Sequence, residues 1–124
     1  MNTAIVMLGS NIHVKKNIEL TLTKLAGHFK ITNKSLQVNT EPVGTHISTH
    51  FNNVALKLVS EVTLEETITI FKQIEQEMGR NSDSKLTGII PIDIDLIFWN
   101  EKLVHEDFNR FEYVKDCVNE IKMM

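Results

Sequence analysis

Residues 51–79 read FNNVALKLVSEVTLEETITIFKQIEQEMG, and the change of period inside them decides the fold. From Phe51 to Ser60 the side chains alternate. Val54, Leu56 and Leu58 take one face, and Phe51, Asn53, Ala55 and Lys57 take the other, which is the two-residue period of a strand. Thr63 followed by Glu66 is then a capping box, Leu64, Ile68, Phe71, Ile74 and Met78 recur at helical steps, and Gly79 supplies a C-terminal stop. A two-faced strand running into a capped amphipathic helix predicts a helix lying on a sheet.

Upstream, Thr3–Leu8 is a short apolar run closed by Gly9-Ser10-Asn11, which reads as a strand and a turn. Val14, Ile18, Leu22, Leu25 and Phe29 form the stripe of a helix over 14–29. Ile31–Val43 reads as one strand in which Leu36, Val38 and Thr40 alternate, and Pro42 and Gly44 break it into a polar loop reaching His50. Downstream, Arg80–Ile90 has no period and reads as a loop. Ile92–Trp99 alternates as a strand, and Phe111, Val114, Cys117, Val118 and Ile121 predict a final helix. The order β-α-β-β-α-β-α points to a ferredoxin-like α+β fold, an antiparallel sheet with helices packed on one face and the other face left for a ligand or partner.

The chain has 124 residues, 42% of them hydrophobic and 23% charged, so one domain over 1–124 with a genuine core is expected. Thirteen basic against sixteen acidic residues leave a net charge of −3. Together with few aromatics, that balance disfavours RNA binding across the open sheet face, and no nucleic acid partner is expected. The lone cysteine, Cys117, and the lack of a secretory leader or a long apolar run favour a cytoplasmic protein away from membranes. The oligomeric state is not legible.

Asp93 and Asp95 are two positions apart on a predicted strand, so both leave the same face, roughly 6 to 7 Å apart along it. Two converging carboxylates suit a hard divalent cation whose shell is completed by water and substrate phosphates; the alternative is the wet face of an amphipathic strand. Phe51 and Asn53 repeat the geometry with an aromatic and an amide, apt for stacking on and pairing with a flat heterocycle, or else an edge aromatic beside a solvated amide. His46 and His50 have the spacing of zinc ligands but no third partner.

Taken together, Gly9-Ser10-Asn11, Thr40, Pro42-Val43-Gly44, Phe51-Asn52-Asn53, Glu75 through Gly79-Arg80 and Asp93-Ile94-Asp95-Leu96 resemble the 6-hydroxymethyl-7,8-dihydropterin pyrophosphokinase family, whose members move pyrophosphate from ATP to a pterin alcohol in folate biosynthesis. The resemblance covers most of the chain. It implies that Asp93 and Asp95 hold two Mg²⁺ ions bound with ATP and, with Arg80, carry catalysis. It also implies that Thr40, Val43, Phe51, Asn53 and Tyr113 hold the hydroxymethylpterin, with Phe111 as the alternative stacking aromatic, and that Glu75, Arg80 and Lys85 face the nucleotide.

The chain departs from that pattern in the loop and after the Asp-x-Asp strand. Ser82, Leu86 and Ile90 stand where the family commonly has arginine, and Thr87 stands where it has a tryptophan. Arg80 and Lys85 are the remaining cations between positions 80 and 90, with Lys57 and Lys102 as candidates to supplement them. Val104-His105-Glu106-Asp107-Phe108 runs almost directly into the last helix where family members carry a longer segment. A pterin-binding or regulatory paralogue with little transfer is therefore the second expectation.

Overall fold

The computed structural model describes residues 1–40, 50–81 and 84–122. Its elements are β1 (Asn2–Ser10), α1 (Val14–Ala26), β2 (Lys30–Lys34), β3 (Val38–Thr40), β4 (Phe51–Ser60), α2 (Leu64–Glu77), α3 (Ser84–Thr87), β5 (Asp93–Trp99), β6 (Lys102–Leu103), α4 (Asp107–Arg110) and α5 (Glu112–Lys122). The strands form an antiparallel sheet in the order β2-β4-β1-β5-β6, with β3 also paired to β4. This is an α+β fold.

One face carries Ala4, Val6, Leu8, Val54, Leu56, Leu58 and Ile94 against Ile18 and Leu25 of α1 and Phe71 and Ile74 of α2. The opposite face is not left open. Ile5, Met7, Ala55, Ile97 and Phe98 are covered by Val114, Cys117, Val118 and Ile121 of α5. Those four recur at steps of three, one and three, and each is at most 2% exposed. Burying them stabilises the second layer by roughly 1.5 to 3 kcal/mol per large apolar side chain.

Three sequence expectations change. The strand expected over Ile31–Val43 is two short ones, because Ser35 interrupts it: its amide bonds the Ala55 carbonyl at 2.9 Å and its hydroxyl accepts the Ala55 amide at 2.8 Å. Leu36, expected to alternate, is 76% exposed. The loop over Arg80–Ile90 contains α3. In α2 the buried residues are Thr67, Phe71, Ile74 and Glu75, while Ile68 is exposed. A stripe counted from apolar residues alone misses a buried carboxylate.

The central strand pair is irregular at one point. Ile5 faces Phe98 but Val6 faces Leu96, so Ile97 is the extra residue of a β-bulge. Consequently Ile97 and Phe98 both join the α5 layer while Trp99 returns to the other. Among the described residues no helix is long and apolar enough to cross a membrane.

Candidate functional site

Strand register brings the predicted residues into one row. Val38 of β3 faces Asn53 of β4, Asn53 faces Gly9 of β1, and Gly9 faces Asp93 of β5. On either side Thr40 faces Phe51, and Ala55, Met7 and Asp95 align across the sheet. A Cβ at Gly9 would lie 3.0 Å from Asn53 Oδ1 and 3.7 Å from Phe51 Cδ1, so the glycine keeps the middle of the row clear. Above it is a cavity of about 270 Å³, floored by Thr40, Phe51, Asn53, Asp93 and Asp95 and walled by Asp107, Arg110, Phe111 and Tyr113.

Asn53 is buried and its Nδ2 donates to Thr40 Oγ1 at 2.8 Å and to the Val38 carbonyl at 3.4 Å. That orients the amide and turns Oδ1, an acceptor, toward Gly9. The Phe111 and Tyr113 rings are 5.7 Å apart and inclined by 31°, and both border the cavity. Burial and the carboxylates of Asp107, Asp95 and Asp93 raise the Tyr113 pKa, so its hydroxyl stays a neutral donor.

The acidic side is organised by the end of α2. Gly79, at φ 98, bonds its amide to the Gln76 carbonyl at 3.0 Å, and the Arg80 amide reaches back to the Glu75 carbonyl at 3.0 Å. This paired closure needs a residue tolerant of left-handed backbone, and it turns Arg80 over Glu75. Arg80 then donates to Glu75 Oε2 at 3.0 Å and to Asp93 Oδ1. Glu75 also accepts the Ile94 amide at 2.8 Å. Burial raises the Glu75 pKa, opposed by that amide and by the Arg80 charge. Glu75 thus anchors Arg80 to β5.

Asp95 lies against Asp93, with Asp107 and Glu75 nearby. Burial, the Asp93 carboxylate and their shared hydrogen bond raise its pKa to about 8. Oxygen donors crowded until one holds a proton are a site where a cation would replace that proton.

His105 and Asp107 were not singled out by the sequence reading. One donor atom each from Asp95, His105 and Asp107 lie within 4.8 Å of one another. The Asp107 amide donates to His105 Nδ1 at 3.1 Å, however, which leaves the proton of the neutral ring on Nε2, 3.9 Å from Asp95 Oδ1. The imidazole is therefore a donor facing Asp95, and the remaining donors are carboxylate oxygens, the set that suits Mg²⁺. A short His-x-Asp outside any periodic segment was the available signal.

Asp95 and His105 also border a second cavity of about 270 Å³, lined by Ile68, Phe71, Leu96 and Val104 with Lys72 and Glu75. Asp95 is thus shared by both cavities, one aromatic and amide-lined, the other largely apolar. The exposure of Ile68 is explained by its place there.

Arg110, also missed, reaches the first cavity from α4 and lies 4.9 Å from the Phe111 ring centroid. Lys85 belongs to α3, Lys57 lies in a third cavity at the far end of the sheet, and Lys102 is exposed on β6. Val43, His46 and Ser82 lie outside the described residues, as do the side chains of Lys85 and Leu86. The expected zinc spacing leaves His50, whose Nδ1 is 2.9 Å from Asn39 Oδ1. Asn11 holds the end of the loop: its Nδ2 donates to the Gly88 carbonyl at 2.6 Å and its Oδ1 accepts the Ile90 amide at 2.7 Å.

The model of the family described as 7,8-dihydro-6-hydroxymethylpterin-pyrophosphokinase matches residues 5–123. The chain is 29% identical over 105 residues to a folate synthesis bifunctional protein of Arabidopsis thaliana, covering 83% of this chain and 22% of that protein. It is 31% identical over 106 residues to a mitochondrial folate synthesis bifunctional protein of the same plant, covering 83% of this chain and 19% of that one. Against the 2-amino-4-hydroxy-6-hydroxymethyldihydropteridine pyrophosphokinase of Bacillus subtilis (strain 168) it is 27% identical over 109 residues, 86% of this chain and 65% of the relative. The match therefore spans about a fifth of the plant proteins and just under two thirds of the bacterial one.

Proposed function

The chain belongs to the 7,8-dihydro-6-hydroxymethylpterin-pyrophosphokinase family, and from that premise we propose that it transfers pyrophosphate from ATP to 6-hydroxymethyl-7,8-dihydropterin. The observation that carries the reading is the position of Asp95 on the wall between two cavities of different chemistry. In this account the pterin lies in the first cavity. Phe51 offers a ring face on one side, Tyr113 and Phe111 supply the other, and Asn53 Oδ1 accepts an N–H from the ring edge. The purine lies in the second cavity on Ile68, Leu96 and Val104, with its phosphates directed to Asp95.

The hydroxymethyl oxygen attacks the β-phosphorus of ATP, the bond from that phosphorus to the α,β-bridging oxygen breaks, AMP leaves and the alcohol proton is released. Asp93 and Asp95 would hold Mg²⁺, two ions in the full assembly, and Asp107 is close enough to contribute an oxygen. Mg²⁺ held there would supply positive charge to offset that of the phosphates. Arg80, held beside Asp93 and Glu75 at the end of α2, would offer its guanidinium to the phosphates, with Glu75 keeping it near β5. His105 Nε2–H and Arg110 supply further donors at the junction.

Incubating the purified protein with ATP, Mg²⁺ and the pterin alcohol and measuring AMP release tests this directly. Release by the wild type and its absence in Asp95→Ala are expected. A second reading, a pterin-binding paralogue, is favoured by Ile90: an aliphatic side chain stands beside the metal strand where the family commonly places arginine. Under that reading the pterin binds but AMP is not released.

A further inference from the structure

The third cavity, about 300 Å³, lies on the same sheet face as the first, beyond the other end of α5. Its floor is a cross-strand row in which Lys57 of β4 faces Ile5 of β1 and Ile5 faces Phe98 of β5. Thr3 continues the floor, Lys122 closes it from the last turn of α5, and Asn100 and Glu101 close it from the β5–β6 turn. Ile5 and Phe98 are 6% and 7% exposed, so Lys57, in the same row on the α5-facing side of an interior strand, stands beside two buried apolar side chains.

A lysine there calls for a counter-charge. Among the described residues neither Lys57 nor Lys122 has an ion-pair partner, and the Lys122 ammonium instead sits 4.3 Å from the Phe98 ring centroid. Glu101 borders the same space but stands in no ion pair there, and its backbone is held at φ 70 by the turn. The turn itself is tied to β1: Asn100 donates its amide to the Thr3 carbonyl at 2.8 Å and accepts the Thr3 amide on Oδ1 at 2.8 Å. The turn is thus held to β1 from both the Asn100 backbone and its side chain.

We propose that this cavity is a second ligand site, separate from the one bordered by Asp95, and that it takes a small oxyanion of the phosphate class. Two lysines against one glutamate leave a net positive charge. The Thr3 hydroxyl adds a neutral donor, and the ammonium groups can approach from opposite walls. The volume admits phosphate with its water or a compact organic phosphate. The site is separate from the second cavity as well, with which it shares no lining residue.

The test is a titration of the full chain with inorganic phosphate, followed by amide NMR at constant ionic strength held with chloride. Saturable shifts at Thr3, Lys57, Asn100 and Lys122 are expected, with a midpoint distinct from any shifts at Gly9 and Asp95. Lys57→Gln and Lys122→Gln should each weaken the first set about tenfold, the scale of losing one charge-assisted hydrogen bond. The double variant should abolish it while Asp95→Asn leaves it in place. Lys122 is exposed at the end of a helix, so its substitution keeps the fold even if Lys57→Gln does not. Shifts that are absent, linear without saturation, or unchanged in Lys122→Gln would overturn the proposal.

Discussion

The two sides of the site are built by different means. The side proposed to face the pterin is a row of strand residues, Thr40, Phe51, Asn53 and Gly9, whose positions follow from the ladder register that holds the sheet. The side proposed to face the phosphates hangs on a helix end and a turn: Arg80 after Gly79, and Gly88 and Ile90 clamped by Asn11. Register-built sites change only if a strand slips. Loop-built sites change with single residues, and Ser82, Leu86 and Ile90 are the positions at which the resemblance leads one to expect arginine.

The sharpest way to break that contrast is at the residue shared by both sides. Asp95→Asn should lower AMP release by on the order of 10³-fold or more, the scale of removing a charge that organises phosphoryl transfer, while leaving pterin binding in place. Equal loss of pterin binding would show that Asp95 acts through pterin binding rather than through the phosphates. Next in size is the strand side: Asn53→Ala should cost about 1 to 3 kcal/mol of pterin binding by removing the buried amide, with ATP affinity unchanged by calorimetry.

The loop side should respond more mildly. Wild-type ATP binding is expected to be weak and to fall with added salt, and Ile90→Arg should tighten it by about tenfold. Tight, salt-insensitive binding by the wild type would contradict the contrast. Gly79→Ala should cost about 1 kcal/mol in denaturant unfolding, because φ 98 strains any residue with a Cβ, and should also weaken ATP binding through Arg80.

A separate prediction concerns pH. The Asp95 pKa is raised in the fold from 3.8 to about 8, so its stabilising contribution is full below the unfolded value and is lost as pH rises through the folded one. Metal-free wild type should therefore lose stability relative to Asp95→Asn as pH rises from about 4 to 8. Thermal melts of the two across that range check the sign, and parallel curves would show that Asp95 is not held in a crowded acidic site.

What the sequence revealed follows the same division. Phe51–Ser60, the Thr63 cap and the β5 aspartates were legible because alternation and capping are local. The break at Ser35, the bulge at Ile97 and the burial of Glu75 were not, since each depends on a partner distant in sequence: Ala55, the β1 register, and the Ile94 amide with Arg80. His105, Asp107 and Arg110 were missed because α4 is a single turn without periodicity, and α5 covers the sheet face that the topology suggested was open.

The central claim is that Asp95 joins a pterin cavity to a nucleotide cavity. Titrating the pterin alcohol calorimetrically into the protein, with and without Mg²⁺ and a non-hydrolysable ATP analogue, measures that junction. The account predicts that nucleotide with metal tightens pterin binding in the wild type by about tenfold or more, the usual scale of coupling between sites, and leaves it unchanged in Asp95→Asn. The same tightening in both proteins, or none in the wild type, would contradict it.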